Sequence, residues 1–107
     1  MGKFLVDRDL LDTIRAGFLE HLELVYGKEG DREWYECWRK AGGHEIGVVI
    51  QRFRREPWFM HFFVDNRIST LQYITNQPSR HLVTAIYSIA EATHILNQLG
   101  FDVEVKR

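Results

Sequence analysis

Apolar residues recur at spacings of three and four along the first part of the chain, and this period predicts an amphipathic helix over residues 7–27. Asp7 or Asp9 supplies the acceptor that caps its start, where free backbone amides and the helix dipole favour a carboxylate. Gly27 suits the left-handed residue that ends a helix. The apolar stripe of this helix consists of Leu11, Ile14, Phe18, Leu22 and Val25.

The same period returns near the end of the chain and predicts a second helix over residues 76–100. Ser79 is a good N-cap, Asn76 with Pro78 in the first turn is an alternative, and Gly100 ends the helix. The stripe of this helix consists of Leu82, Ile86, Ile89, Thr93, Leu96 and Leu99.

The segments between these helices predict four strands, over residues 32–39, 44–53, 57–65 and 67–75. Their connections are only a few residues long, so neighbouring strands should form antiparallel hairpins in sequence order. The alternation in "FDVEV", at 101–105, predicts a short fifth strand at an edge of the sheet.

The expected fold is therefore α+β, with the order α-β-β-β-β-α and with or without a short final β. We expect a single domain, 1–107, in which an antiparallel meander sheet carries two helices packed on one face.

The third predicted strand, "PWFMHFFVD", is apolar on both of its faces. One face carries Trp58, Met60, Phe62 and Val64, and the other carries Phe59, His61 and Phe63. Two helices can cover one face of the sheet but not both. One helix could cross to the far face, or the sheet could curl over itself. Otherwise the second face is an interface, either in a sheet-to-sheet homodimer or with another protein.

Composition narrows the class of protein. Of the 107 residues, 45 % are apolar and 13 % are aromatic, which excludes a disordered chain, and the net charge of −1 gives no global field to attract nucleic acid. The single cysteine, Cys37, fits a reducing compartment. There is no apolar run long enough for a membrane helix and no signal peptide in "MGKFLVDRD". We expect a soluble cytoplasmic protein without membrane partners.

Candidate catalytic and metal-binding residues are few. Cys37 lies within a predicted strand, away from any helix N-terminus that could lower its pKa. Glu91 and His94 have the E-x-x-H spacing of carboxylate-bridged metal bundles, but such bundles need two of these pairs. His61 and Asp65 share a face but lie about 13 Å apart along a strand. The sequence therefore predicts no enzyme, no catalytic residue, no metal site and no cofactor.

Basic residues gather at one predicted end of the sheet, where a hairpin turn would approach the start of the second helix. An anion or phosphate-backbone site there would use Lys28, Arg54, Arg55, Arg80 and His81. The alternative is a solvated hairpin whose arginines pair with Glu29, Glu56 or Asp31.

A helix, three or more antiparallel strands and a final helix with a basic N-terminus is similar in topology to double-stranded RNA-binding domains. That resemblance implies a nucleic-acid binder, although "SRHLVT" stands where those domains have a lysine-rich start.

The leading functional expectation is a non-enzymatic protein that acts by binding another protein, as a homodimer, in the manner of an inhibitor, an immunity protein, an antitoxin or a phage anti-defence factor. The alternative is the nucleic-acid-binding protein described above. Aromatic residues and arginines dominate binding energy at protein interfaces. The expected partner-binding residues are Trp34, Trp38, Arg54, Arg55, Trp58, Phe59, His61 and Phe63.

Overall fold

The computed structural model describes residues 3–74 and 81–107, with two helices and nine strands in those ranges. In chain order they are β1 (Lys3–Leu5), α1 (Arg8–Gly17), β2 (His21–Glu29), β3 (Arg32–Ala41), β4 (His44–Phe53), β5 (Phe59–Val64), β6 (Arg67–Thr70), β7 (Gln72–Ile74), β8 (His81–Val83), α2 (Ile89–Gln98) and β9 (Asp102–Lys106).

Six of the strands form the main sheet, in the order β6-β5-β4-β3-β2-β9. The five strands from β2 to β6 are an antiparallel meander in which each strand pairs with the next one along the chain. At the far edge β9 pairs with β2 in parallel. The short strands β1, β7 and β8 form a second, antiparallel sheet.

One face of the main sheet, here called the inner face, forms the core together with both helices. Along β5 the residues Met60, Phe62 and Val64 are fully buried. They belong to one cluster that also contains Ile14 of α1 and Leu96 of α2. The opposite face, here called the outer face, carries the side chains at the alternate positions of each strand, such as Phe59, His61 and Phe63 on β5. The α+β fold and the antiparallel sheet with helices packed against it are confirmed.

The first helix begins where the sequence predicts but ends ten residues early. The side chain of Asp7 accepts a hydrogen bond from the Leu10 amide at 3.0 Å, as a cap should. The helix ends at Gly17, and Leu19 and Glu20 then adopt positive φ angles of 53° and 61°. The prediction that this helix continues to Gly27 was wrong.

Residues His21–Glu29 form β2 instead, because its side chains alternate between the two faces. Leu22 and Leu24 are fully buried, whereas Val25 is 49 % exposed. A helical stripe through Leu22 and Val25 would have buried both of them and left Leu24 out.

The second helix was predicted to begin at residue 76, but α2 begins thirteen residues later. It begins at Ile89, and Ser88 is its N-cap, with its hydroxyl accepting from the Glu91 amide at 3.1 Å. His81–Val83 form β8, and Ile86 pairs with Trp58 in an isolated antiparallel bridge. The predicted caps Asn76 and Ser79 lie outside the described residues. Gly100 follows the helix with a φ of 99°, as predicted.

The remaining strands follow the predictions closely. β4 occupies the predicted range, β3 is two residues longer than predicted, and β9 is the predicted strand at an edge of the sheet. The predicted strand over 67–75 splits at the buried Leu71 into β6 of the main sheet and β7 of the small sheet. Within the described part of the chain, no helix is long and apolar enough to cross a membrane.

Candidate functional site

The outer face of the main sheet exposes aromatic and aliphatic side chains that neither helix covers. Trp38, Val25 and Ile68 are 45 %, 49 % and 57 % exposed, and Phe59, His61 and Phe63 are half-buried among their neighbours on the same face. Six strands span about 24 Å, and the two longest, β3 and β4 with ten residues each, run about 33 Å in the other direction. A surface of this size is comparable to the roughly 800 Å² that each protein contributes to a standard interface.

Two tryptophans of β3 lie flat on the outer face because glycines on the neighbouring strands make room for them. Trp34 is paired with Gly27 of β2, and Trp38 with Gly47 of β4. A Cβ atom added at Gly27 would lie 2.4 Å from Trp34 Cε2, and one at Gly47 would lie 2.3 Å from Trp38 Cε3. Each indole therefore rests on bare backbone and turns its other π face outward.

The carboxylate of Glu36 lies between these two indoles on the same strand. Trp38 Nε1 donates to Glu36 Oε1 at 2.7 Å, and Trp34 Nε1 donates to Glu36 Oε2. The alternation of β3 places all three side chains on the outer face, and the two N–H groups fix the carboxylate in one orientation.

A chain of hydrogen bonds continues from Trp34 across β3, β4, β5 and β6. The guanidinium of Arg32 lies over the Trp34 ring, 5.0 Å from its centroid, and donates twice to Gln51 Oε1 at 2.9 and 3.1 Å. The amide nitrogen of Gln51 is 3.2 Å from His61 Nε2, and His61 Nδ1 is 2.9 Å from Thr70 Oγ1.

This chain of bonds favours a neutral His61. Arg32 fixes the oxygen of the Gln51 amide, so the amide nitrogen must donate to His61 Nε2, which has to be the unprotonated ring nitrogen. The Nδ1–H then donates to Thr70. Burial also lowers the pKa of His61. The ring is thus a fixed neutral link in the sheet rather than a free proton carrier.

A groove opens beside Glu36, where β2 leaves β3. The first half of β2 pairs with β9 and the second half with β3, so the two strands separate beyond the Val25–Glu36 pair. The groove has a volume of about 540 Å³, and its lining includes Glu23, Val25, Glu36, Trp38 and Arg39. Phe63 lies on the other side of Trp38, with ring centroids 5.2 Å apart.

The charge on the outer face is negative, although the whole chain is nearly neutral. Six carboxylates and three cationic side chains share the parity of this face, and one pair of them, Glu23 and Lys106, forms an ion pair. The carboxylates are Glu23, Glu29, Glu36, Glu45, Asp102 and Glu104, and the cations are Arg32, Lys40 and Lys106.

The structure brings five of the expected partner-binding residues onto this face, namely Trp34, Trp38, Phe59, His61 and Phe63. Trp58 does not belong with them. It is 5 % exposed and packs against Tyr35, 5.5 Å between centroids, because its parity is that of the inner face. Its assignment to a contact surface is therefore corrected to the core.

Arg54 and Arg55 lie in the exposed turn after β4. Arg54 Nε is 3.3 Å from Asp31 Oδ2, which is one of the pairings expected of a solvated hairpin.

The expected basic end does not form around the N-terminus of α2, which begins at Ile89. His81 lies in β8 rather than in the first turn of a helix, and Arg80 lies outside the described residues. Lys28 is paired in register with Glu33. Glu33 also accepts from the Tyr26 hydroxyl and from Arg52, and these contacts hold the pKa of its carboxyl below the ordinary value.

The other candidate residues have structural surroundings. Burial raises the pKa of the Cys37 thiol, which disfavours the reactive thiolate. Glu91 accepts from the Tyr87 amide at 3.3 Å as part of the cap of α2, and His94 lies 3.2 Å from Gln98. Among residues 3–74 and 81–107, no three His, Cys, Asp or Glu side chains are close enough together to hold a metal ion.

Sequence reasoning missed Glu36, Gly27 and Gly47, which organise the outer face. A signal for them was present. In "WYECW" the residues Trp34, Glu36 and Trp38 alternate, so a strand places the carboxylate between two tryptophans on one face. The two glycines could be assigned to these indoles only when the register between strands was known.

Comparison with protein-family models, with curated proteins and with solved structures found no match to this chain.

Proposed function

We propose that this protein is a non-enzymatic interaction module that binds another protein through its outer face, as inhibitors, immunity proteins, antitoxins and phage anti-defence factors do. The observation that carries the proposal is the layer of exposed and half-buried aromatic side chains around Trp38 and Phe63, which neither of the two described helices covers. Apolar patches of several hundred Å² are uncommon on monomers and mark interaction sites.

The fixed geometry of the face supports binding rather than catalysis. The indoles rest on glycine backbone, Glu36 is held by two N–H groups, and His61 is held between Gln51 and Thr70. Side chains that are already ordered lose little conformational entropy when a partner binds.

A different protein fits this face better than a second copy does. Two copies paired face to face would bring six carboxylates of one copy against six of the other, with only three cations each. Like charges at an interface oppose association, so the partner should carry a basic surface.

A capture experiment with matched variants tests the proposal. Wild type, Trp38→Ala, Phe63→Ala and Tyr87→Ala would each be immobilised and exposed to an extract of the cells in which the protein acts. Tyr87 is 74 % exposed but lies outside the main sheet, so Tyr87→Ala is the control. We expect a stoichiometric protein that wild type and Tyr87→Ala retain and that both outer-face variants lose. Equal retention by all four proteins, or by none, would overturn the proposal.

Nucleic acid is the second candidate, because flat aromatic side chains on an open sheet can stack on bases. The negative charge of the outer face and the Arg54–Asp31 ion pair count against it. Binding to a labelled single strand and to an RNA duplex, measured over a salt series, separates the two functions. A nucleic-acid function requires sub-micromolar affinity at physiological salt that the double charge reversal Arg54→Glu with Arg55→Glu abolishes.

A further inference from the structure

We infer that Glu36 and its two flanking indoles form a receptor for an arginine side chain of the partner, an assignment that rests on the proposed function and names the chemistry of what is bound. Glu36 is half-buried, and both of its oxygens accept from tryptophan N–H groups. No lysine, arginine or histidine forms an ion pair with it in residues 3–74 and 81–107.

The hydrogen bonds to Glu36 orient its charge without neutralising it. An ionised carboxylate can accept about four hydrogen bonds, and the two indoles use one on each oxygen. The remaining positions suit a second, parallel pair of donors. A guanidinium supplies such a pair from one plane and in the spacing of the two oxygens.

The tryptophans add a surface that matches the same ligand. Each ring lies against glycine backbone, so its free π face is directed away from the sheet. Planar cations stack on indole faces, and one already does so here, because Arg32 lies 5.0 Å from the centroid of Trp34. Trp38 is 45 % exposed, and Arg32 stacks on Trp34 rather than on Trp38. The vacant indole is therefore that of Trp38.

The surroundings favour a cation that is carried on a side chain. The groove of about 540 Å³ beside Glu36 and Trp38 is large enough to admit one, and Val25 and Trp38 give it apolar walls for methylene groups. Arg39 also lines the groove, but the face as a whole has twice as many carboxylates as cations. This excess would draw a basic segment towards the site.

A titration with small model compounds tests the receptor in the wild-type protein. The probes are N-acetyl-arginine amide, N-acetyl-lysine amide and N-acetyl-citrulline amide, the last of which keeps the shape of arginine without its charge. The readout is the indole N–H signals of Trp34 and Trp38 in nitrogen-15 NMR spectra, with the buried Trp58 as the internal reference. We expect saturable shifts with arginine, weaker shifts with lysine and none with citrulline. Citrulline or lysine binding as tightly as arginine would overturn the assignment.

Two variants locate the charge that is responsible. Glu36→Gln should weaken arginine binding by roughly tenfold, as expected when a charge-assisted pair is lost. Glu45→Gln removes a carboxylate of the same face that accepts from neither indole N–H group and should leave the affinity unchanged. Equal affinities of Glu36→Gln and wild type would place the arginine elsewhere.

The receptor and the proposed function can fail separately. If the captured protein is retained by Glu36→Gln but lost by Trp38→Ala, the outer face binds a protein without the arginine contact. If arginine binds at Glu36 but no protein is captured, the receptor exists and the interaction function is refuted. Loss of the captured protein by Glu36→Gln, with retention by Glu45→Gln, supports both.

Discussion

At the scale of single residues, the outer face depends on two glycines as much as on its aromatic side chains. Gly27 and Gly47 let two large rings lie flat, and the rings in turn cover backbone that a glycine leaves open. His61 contributes through its protonation state, because its two ring nitrogens have opposite roles in one row of hydrogen bonds.

Gly47→Ala should lower the free energy of unfolding by about 1 to 3 kcal/mol, since the new methyl group would lie where the Trp38 ring is. The measurement is urea denaturation, with tryptophan fluorescence to report the displaced indole. In a Trp38→Ala background the same change should be neutral or slightly stabilising, because alanine restricts the unfolded chain more than glycine does. An equal loss in both backgrounds would show that the ring is not what excludes the methyl group.

The lowered pKa of His61 makes stability depend on pH in a defined direction. In the unfolded chain, His61 takes up a proton near the ordinary histidine pKa of 6.5, whereas in the folded protein it does so only at a lower pH. Wild type should therefore lose stability as the pH falls from about 7.5 through 6.5 and on through the lower folded value. His61→Gln removes this dependence, so its stability deficit relative to wild type should narrow on acidification. A deficit that stays constant between about pH 7.5 and about pH 5 would contradict the assignment.

At the scale of elements, the boundary between α1 and β2 decides which residues are buried. The helix stops after ten residues, and two residues with positive φ reverse the chain into a strand that pairs with both β3 and β9. Residues 21–25 thereby gain backbone partners on β9, and residues 25–29 gain them on β3.

Paired substitutions in β2 test this boundary. Leu24→Gln should destabilise the protein by about 3 kcal/mol or more, because it removes a fully buried leucine and introduces a polar group into the core. Val25→Gln places the same side chain on the outer face and should change stability by about 0.5 kcal/mol or less. Denaturation midpoints measure both. A larger loss of stability for Val25→Gln than for Leu24→Gln would instead support a helix that buries Val25.

At the scale of the whole molecule, one sheet separates two different surfaces. The inner face and both helices form the core, while the outer face is aromatic at its centre and carries an excess of carboxylates. The distribution of charge between the two faces, which the net charge of −1 conceals, favours a basic partner over a second copy.

Light scattering tests the choice of partner. We expect the purified protein to have the mass of one chain, 12.7 kDa, at high micromolar concentration. Phe63→Glu should leave that mass unchanged. A mass twice as large, which Phe63→Glu reduced to that of one chain, would show that a second copy occupies the outer face.

The sequence by itself determined the elements whose signals are local. The hairpins around β4, the cap at Asp7, the glycine after α2 and the edge strand β9 all follow from spacing and turn chemistry within a few residues. The pattern of β5 also predicted apolar side chains on both faces of the sheet, but it left open whether a helix crosses to the second face.

Tertiary structure decided the segments whose patterns fit two elements. Leu22 and Val25 satisfy a helical period, while Leu22 and Leu24 satisfy a strand, and pairing with β3 and β9 selects the strand. Likewise, residues 81–83 pair with β7, and α2 starts only at the S-x-x-E cap of Ser88 and Glu91. The setting of Glu36 between two indoles depends on strand register, because the glycines beneath the rings belong to strands on either side. Register joins residues that are distant along the chain, and no local pattern contains that information.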